Sequence, residues 1–399
     1  MTGRNIAVIL AASLLATAIA REGRADVNYE GEMPTDAHHL KIGDAAPDFS
    51  LLGVDGKTYS LADFKSAKVL MIVFLSNHCP YSHAAETRIL PLAARMKSRG
   101  LAVVAINPNH PDALRIDELG FSKYTDSYED MKKYAKEQHF TFPYLYDGAT
   151  QSTAKAYGCL ATPHVFIFDQ ARQLRYSGRF DNSRYPDPKT VTSPDASNAI
   201  ESILAGRPVP VELTRVLGCS TKWLSKTNEV AEFDADWKAA PVSVESIDTN
   251  GVADLVRNNT RNYRLINIWA TWCGPCVKEF PGFVSLSRRM SDRAFELITI
   301  SIDSPEDRPN VQKFLKAQHA AVPKSVLRML KKEGRTTDNY HFTGASTDGL
   351  AQALDQSWPG PVPYTILIAP GGKIVFRHSG EIDTAKLRAM VIDQLGPYY

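Results

Sequence analysis

Two thiols three positions apart, Cys273 and Cys276, stand in the run Trp269-Ala270-Thr271-Trp272-Cys273-Gly274-Pro275-Cys276. An apolar, strand-like stretch precedes them and a helix-like stretch follows, which puts the pair at a helix start. That is the chemistry of a dithiol redox site. Helix N-terminal amides favour a thiolate at Cys273, and the two-residue spacer lets Cys276 reach back to close a disulfide. The same spacing serves half of a zinc site, but zinc needs two further ligands, and the residues that follow supply none at ligand spacing. No metal site is assigned and no cofactor is expected. Cys79, Cys159 and Cys219 bring the cysteine count to five, so at least one thiol is unpaired or works between partners.

Positioning these thiols requires strands that end where helices begin. The run KVLMIVFL, from Lys68 to Leu75, is continuously apolar and rich in branched residues, as in a strand covered on both faces, and it delivers Cys79. A helix pattern follows from Pro80 towards Met96. Next come a strand at Leu101 to Ile106, a charged helix near Tyr128 to Gln138, a strand candidate at Phe142 to Tyr146 and a short helix at Thr150 to Tyr157. The turn Ala161-Thr162-Pro163 leads into strands at His164 to Phe168 and Leu174 to Phe180, then a helix at Ala196 to Leu204.

The same order returns after a polar boundary near residue 230. A strand at Leu265 to Trp269 leads to Cys273, and a helix, the strand Phe295 to Ile302 and another helix follow. Val362-Pro363, strands at Tyr364 to Ile368 and Lys373 to Arg377, and a helix at Thr384 to Leu395 close the chain. The spacing from Cys79 to Pro163 nearly equals that from Cys273 to Pro363, so the chain reads as a degenerate internal repeat. Alternating helices and buried strands argue for an α/β fold with sheets covered on both sides.

Length and composition agree with two domains. Basic and acidic residues nearly balance, 46 against 44, without long runs of one sign, so no nucleic-acid partner is expected. Residues 1–20 carry Arg4, an apolar stretch from Ile6 to Ala20, and the small residues Ala18 and Ala20 at signal-cleavage spacing. They read as an export signal to the periplasm or an equivalent oxidising space, the alternative being an uncleaved anchor, for which the apolar run of about 15 residues is short. Residues 21–41, with His38 and His39, read as a polar spacer. In an oxidising space a dithiol kept reduced needs an electron source, here a membrane or extracytoplasmic thiol donor.

The strings WATWCGPCVKEFP and GPVPYTILIAPGGKIVFRHSGEID make residues 243–399 resemble the thioredoxin superfamily, specifically the exported TlpA/ResA-type thiol-disulfide oxidoreductases. The resemblance implies that Pro363 is a cis-proline facing the dithiol and aligning a substrate's backbone, that Trp272 shapes the docking surface, and that Pro281 kinks the helix. It also implies that Glu279 tunes proton transfer. One departure is Asn267, which stands where cytoplasmic thioredoxins carry a buried aspartate. Asn267 cannot take up a proton in the same way, so Glu279 or water would have to do so.

Residues 42–223 resemble the redoxin branch, with its peroxiredoxin-like and thioredoxin-like exported domains, on the strings GDAAPDFSLLGVDGKTYSLADF, SNHCPYSHAAE, FPYLYDGATQSTAKAYG, TPHVFIFD and GRPVP followed by GCSTKW. The implied architecture is two tandem thioredoxin-like domains, each a central mixed sheet with helices on both faces, at 42–223 and 243–399, joined by a linker at 224–242. In the first domain Ser82 replaces a resolving thiol, so a disulfide at Cys79 must be resolved by Cys159, Cys219, the second domain or an outside thiol. Cys159 precedes Pro163 in a loop expected to face Cys79, and Cys219 lies on a tail. Sequence leaves all three pairings open.

The expected function is exchange of protein disulfides through Cys273 and Cys276. Gly274-Pro275 resembles the reducing thioredoxins and points to a reductase, in cytochrome c maturation or extracytoplasmic disulfide repair. Two other readings attach to the first domain, beside a non-catalytic adaptor role. Peroxide reduction at Cys79, with the second domain as reductant, is half supported: Ser76 fits the hydroxyl position of the peroxiredoxin motif, and Ile72 stands where its proline belongs. A copper-binding module would use Cys79 and His83, one helical turn apart, with His78 and His164 near.

Overall fold

The computed structural model describes residues 33–398; the proposed export signal and most of the polar spacer lie outside the described residues. The first half begins with the strands β1 (Ser50–Gly53), β2 (Thr58–Ser60), β3 (Val69–Phe74), β4 (Leu101–Asn107), β5 (Tyr144–Tyr146), β6 (Ala161–Thr162), β7 (His164–Phe168) and β8 (Leu174–Gly178). All but β6 join one sheet, in the order β2-β1-β5-β4-β3-β7-β8; β6 pairs separately with β9 (Cys219–Ser220). The helices here are α1 (Pro80–Met96), α2 (Tyr128–Glu137), α3 (Ser152–Tyr157) and α4 (Asp195–Leu204), followed by α5 (Thr227–Ala239).

The second sheet is β10 (Glu245–Ile247), β11 (Tyr263–Trp269), β12 (Phe295–Ser301), β13 (Asn339–Phe342), β14 (Tyr364–Ile368) and β15 (Ile374–Ser379), ordered β10-β13-β12-β11-β14-β15. Its helices are α6 (Thr249–Arg257), α7 (Gly274–Arg289), α8 (Arg308–Ala317), α9 (Lys324–Lys332), α10 (Thr347–Leu354) and α11 (Thr384–Leu395).

The repeat seen in sequence is a repeat of topology. Strands β5-β4-β3-β7-β8 and β13-β12-β11-β14-β15 run in the same order with the same senses: the first three parallel, the last two antiparallel. Both sheets are mixed and carry apolar packing on two faces. Strand β3 is buried at every position because Val69, Met71 and Val73 meet α1, α2 and α4 on one face, while Leu70, Ile72 and Phe74 meet α3 and Trp223 on the other. Each such side chain, fully buried, contributes about 1.5–3 kcal/mol, which is why an unbroken apolar run persists here instead of alternation.

Three differences from the sequence reading have physical causes. Residues 224–242, expected as a linker, form a short 3-10 turn and α5. Phe233 and Trp237 on α5 lie against the Arg288 guanidinium, and Phe233 also lies against Arg115, so aromatic and cationic groups from both sequence halves hold the helix in place. Second, β1, β2, β10 and β13 are short edge or near-edge strands without a long apolar run, and periodicity does not reveal them. Third, part of the polar spacer is tied down: His38 N–H donates to the Lys155 carbonyl at 2.8 Å, and Asp36 pairs with Lys155.

The two halves pack directly. Arg289 Nε donates to the Leu119 carbonyl and Arg289 Nη2 to the Ser122 carbonyl, both at 2.8 Å, while Arg293 Nη1 reaches the Gly120 carbonyl and Arg293 Nη2 reaches the carbonyls of Leu395 and Gly396. Gly120 is required for that approach, because a Cβ there would lie 2.6 Å from the Arg289 carbonyl oxygen.

Candidate functional site

Cys273 ends the loop after β11 and caps α7 in extended backbone geometry, with Pro275 in the first turn, where a missing N–H costs nothing. Cys273 and Cys276 form a disulfide, with Cα atoms 5.3 Å apart. The Cys276 amide also points at Cys273 Sγ, at 3.3 Å. Freed by reduction, Cys273 would have that amide and the helix N-terminus to favour its thiolate. The loop before it is pinned by Asp303, which accepts from the Thr271 amide and hydroxyl and from Ser301 Oγ. Trp272, 66% exposed beside a nearly buried Cys273, projects from this loop into solvent.

Glu279 lies three residues beyond Cys276 on the same helical face. It is buried, and burial lifts its carboxyl to about 7, against two hydrogen bonds that favour the anion. Those bonds come from the Ile382 amide at 2.8 Å and from Asn267 Nδ2 at 3.5 Å. Asn267 also donates to Thr365 Oγ1 at 3.0 Å, directly across the β11–β14 pairing. The asparagine in the aspartate position thus donates to the glutamate that follows the dithiol. The Val362–Pro363 peptide is cis, and the Pro363 carbonyl accepts from the Gly380 amide at 2.8 Å. Pro281 lies inside α7, where it leaves the Val277 carbonyl without its usual helical donor.

The first half repeats this placement with different chemistry. Cys79 caps α1, with Pro80 following, and the Thr162–Pro163 peptide is cis. As a thiol, Cys79 donates to the Thr162 carbonyl at 3.0 Å. The structure brings Cys219, rather than Cys159, to Cys79: the two sulfurs lie 2.7 Å apart. The short pairing of β6 with β9 sets this up by placing Cys219 opposite Thr162. Cys159 is buried on the other side, its sulfur against the Ala161 carbonyl and Thr221 Oγ1, and burial pushes its thiol far up.

Burial opposes charge on Cys79, yet the Cys219 contact, the charge on His78 and the Ser82 amide bring its thiol down to about 6. That contact, with burial, pushes Cys219 well up. His78 is raised although burial disfavours its charge, because Asp126 Oδ2 meets its Nδ1 at 2.6 Å. Asp126 is held in turn by Asn109 Nδ2 and by the Asn77 amide. Sequence reading missed Asp126, which comes from a loop with no periodic signal. It also missed Glu86, whose carboxyl burial lifts to about 8 beside the Tyr134 hydroxyl. Its spacing, seven residues from Cys79 on one helical face, was a usable signal.

The histidines of the copper reading are engaged separately: His83 Nε2 with the Asn77 carbonyl at 2.8 Å, and His164 Nε2 with Ser177 Oγ at 3.2 Å. Among the described residues, no group of three or more His, Cys, Asp or Glu side chains forms a metal-holding cluster. Ile72, in the position of the peroxiredoxin proline, lies within β3, paired with Phe166, while Ser76 Oγ meets Thr162 Oγ1 at 2.7 Å.

The geometry can be set beside known proteins. A family model described as AhpC/TSA matches residues 42–177 and again 234–377. The chain belongs to the AhpC/TSA family. Both matched segments carry the thioredoxin-superfamily topology described above. Among curated relatives, the thiol-disulfide oxidoreductase ResA of Bacillus subtilis (strain 168) is 27% identical over 128 residues, 32% of this chain and 59% of that protein. The thiol:disulfide interchange protein DsbE homolog of Paracoccus denitrificans (strain Pd 1222) is 28% identical over 119 residues, 30% of this chain and 51% of that protein. The matched stretch thus spans between half and three fifths of those relatives. A crystal structure of a hypothetical protein, SMc02350, from Sinorhizobium meliloti 1021 is 36% identical, covering 47% of this chain and 98% of that one, with a TM-score of 0.42.

Proposed function

We propose that the protein is an exported thiol-disulfide oxidoreductase that reduces protein disulfides through Cys273 and Cys276. The observation that carries this reading is the Cys273–Cys276 disulfide at the start of α7, backed by a buried glutamate whose carboxyl titrates near neutrality. The relatives named as thiol-disulfide oxidoreductases support it.

In the reduced enzyme the Cys273 thiolate attacks a substrate disulfide, forms a mixed disulfide and expels one substrate thiolate. Cys276 gives its proton to the Glu279 carboxylate, directly or through water, and attacks Cys273 Sγ. The second substrate thiolate leaves, and the enzyme is left oxidised. Trp272 and the segment at Val362–Pro363 border the approach to Cys273 and form the docking surface for an extended substrate. A membrane or extracytoplasmic thiol donor then restores the dithiol. Residues 1–20 supply export or anchoring; among the described residues no helix is long and apolar enough to cross a membrane.

The test is reduction of insulin by the full chain regenerated with dithiothreitol, followed by turbidity. Turnover that vanishes in Cys273→Ser supports the reading. Equal turnover in Cys273→Ser and wild type would refute it.

A further inference from the structure

The arm that carries Cys219 is built into the first domain on both sides of the thiol. Before it, the Thr214 amide donates to the Ser177 carbonyl and the Ser177 amide to the Glu212 carbonyl. After it, the Thr221 amide donates to the Leu160 carbonyl, the Lys222 amide to Asn109 Oδ1, and the His110 amide to the Lys222 carbonyl. Gly218 is the point of closest approach: a Cβ there would lie 2.3 Å from the Thr162 carbonyl oxygen. These bonds hold Cys219 against Cys79 through backbone registry.

The two sulfurs are not equivalent. Cys79 is completely buried, whereas Cys219 is half-buried. A nucleophile from solution therefore reaches Cys219 first. Cys79, at the N-terminus of α1, is the better leaving thiolate.

We propose that Cys79 and Cys219 form a second redox couple, in which Cys219 is the sulfur that exchanges with outside thiols and Cys79 is the sheltered thiolate that leaves and returns. Opening begins when a thiolate RS⁻ attacks Cys219 Sγ of the closed disulfide. This forms R–S–S–Cys219 and releases Cys79 as a thiolate. A second thiolate attacks the R sulfur, giving RSSR and freeing Cys219, which takes up a proton. Two thiols lose two electrons, and the couple gains two electrons. Closing runs in reverse, with RSSR as oxidant and the Cys79 thiolate expelling RS⁻ from the mixed disulfide at Cys219. This places the exchanging thiol on the tail and the resolving thiol at the helix start, the opposite of the arrangement proposed for Cys273 and Cys276.

The test uses the full chain carrying Cys273→Ser and Cys276→Ser, so the outcome is independent of the dithiol reading. The protein is equilibrated in buffers of graded reduced and oxidised glutathione, quenched with an alkylating agent, and mapped by mass spectrometry. The expected result is a Cys79–Cys219 disulfide at the oxidised end, converted to two alkylated thiols at the reduced end, with Cys159 unchanged. A pair that stays closed, or stays open, across the whole range overturns the proposal.

The assignment of roles is read from two further variants in that background. With oxidised glutathione, Cys79→Ser gains one adduct at Cys219 about tenfold or more faster than Cys219→Ser gains one at Cys79, because the burial of Cys79 outweighs its larger thiolate fraction. Equal rates, or a faster adduct on Cys79, overturn the assignment. Gly218→Ala, which pushes the arm from Thr162, should lower the closed fraction severalfold at a fixed glutathione ratio; no change would show that the arm does not hold the pair.

Discussion

The Glu279 carboxylate accepts the Ile382 amide at 2.8 Å while Asn267, from the strand that leads to Cys273, donates to its other oxygen at 3.5 Å. Glutamate is therefore the titrating group behind the dithiol, and asparagine is its support. A buried carboxyl lifted to about 7 can both accept and return a proton near neutral pH.

Glu279→Gln is expected to slow disulfide reduction by about 10²-fold, within the range of a positioned acid-base group, and to remove the rise in rate through about pH 7. Stability should move the other way. The folded carboxyl keeps its proton to about pH 7, whereas an unfolded glutamate releases it near its ordinary value, so the folded state binds more protons in that window and loses stability as pH rises through it. The variant should lose that decline. Insulin-reduction rates and urea midpoints at pH 5 and pH 8 measure both; an unchanged pH profile would exclude the role.

Cys276→Ser should keep the attacking thiol and lose the resolving one. Incubated with a protein disulfide, it is expected to accumulate a mixed disulfide at Cys273, visible as a dithiothreitol-sensitive band on a non-reducing gel, with turnover at the uncatalysed level. Absence of that adduct in Cys276→Ser would mean that Cys273 is not the nucleophile.

Trp272→Ala removes an exposed side chain, so stability should change by no more than about 0.5 kcal/mol. KM for a protein disulfide should rise severalfold, while the rate with a small disulfide stays near wild type. Parallel kinetics on the two substrates separate docking from chemistry; equal effects on both would place Trp272 outside the docking surface.

In the reduced protein the Cys79 thiol is brought down to about 6, against its ordinary 9.0. Between those values the folded state has released a proton that the unfolded chain still holds, so this thiol adds stability that is complete above the ordinary value and is lost as pH falls through about 6. Asp126→Asn weakens the charge on His78 and should flatten that dependence. It should also move the midpoint of Cys79 alkylation upward. Urea midpoints and iodoacetamide rates from pH 5 to pH 9, under reducing conditions, give the answer.

Gly120→Ala forces a Cβ onto the Arg289 carbonyl, 2.6 Å away, where the first half packs on α7. The expected cost is about 1–3 kcal/mol, as for other overpacked contacts. Calorimetry should show a lower transition or a split into two; a melting curve identical to wild type would mean that the contact yields freely.

Local order explains what was legible in advance. The unbroken apolar run at β3 and the largely apolar β4, β11 and β12 read as strands buried on both faces, and the two that precede a cysteine and a proline-started helix, β3 and β11, announce a thiol at a helix N-terminus. Short edge strands carry no such run, and α5 has no buried residue, so neither announces itself.

The sequence by itself determined the repeated α/β plan and the dithiol, because strand burial, helix starts and thiol spacing are local properties of a few adjacent residues, whereas the role of Glu279 was implied by the resemblance to exported thiol-disulfide oxidoreductases. Tertiary structure alone decided which thiol meets Cys79, since the choice depends on β6 pairing with β9 across more than fifty intervening residues. It also decided that Asp126 pairs with His78 and favours its charged form, and that Asn267 donates to Glu279. Those contacts arise from chain return, and no pattern of spacing encodes the register in which a returning segment docks.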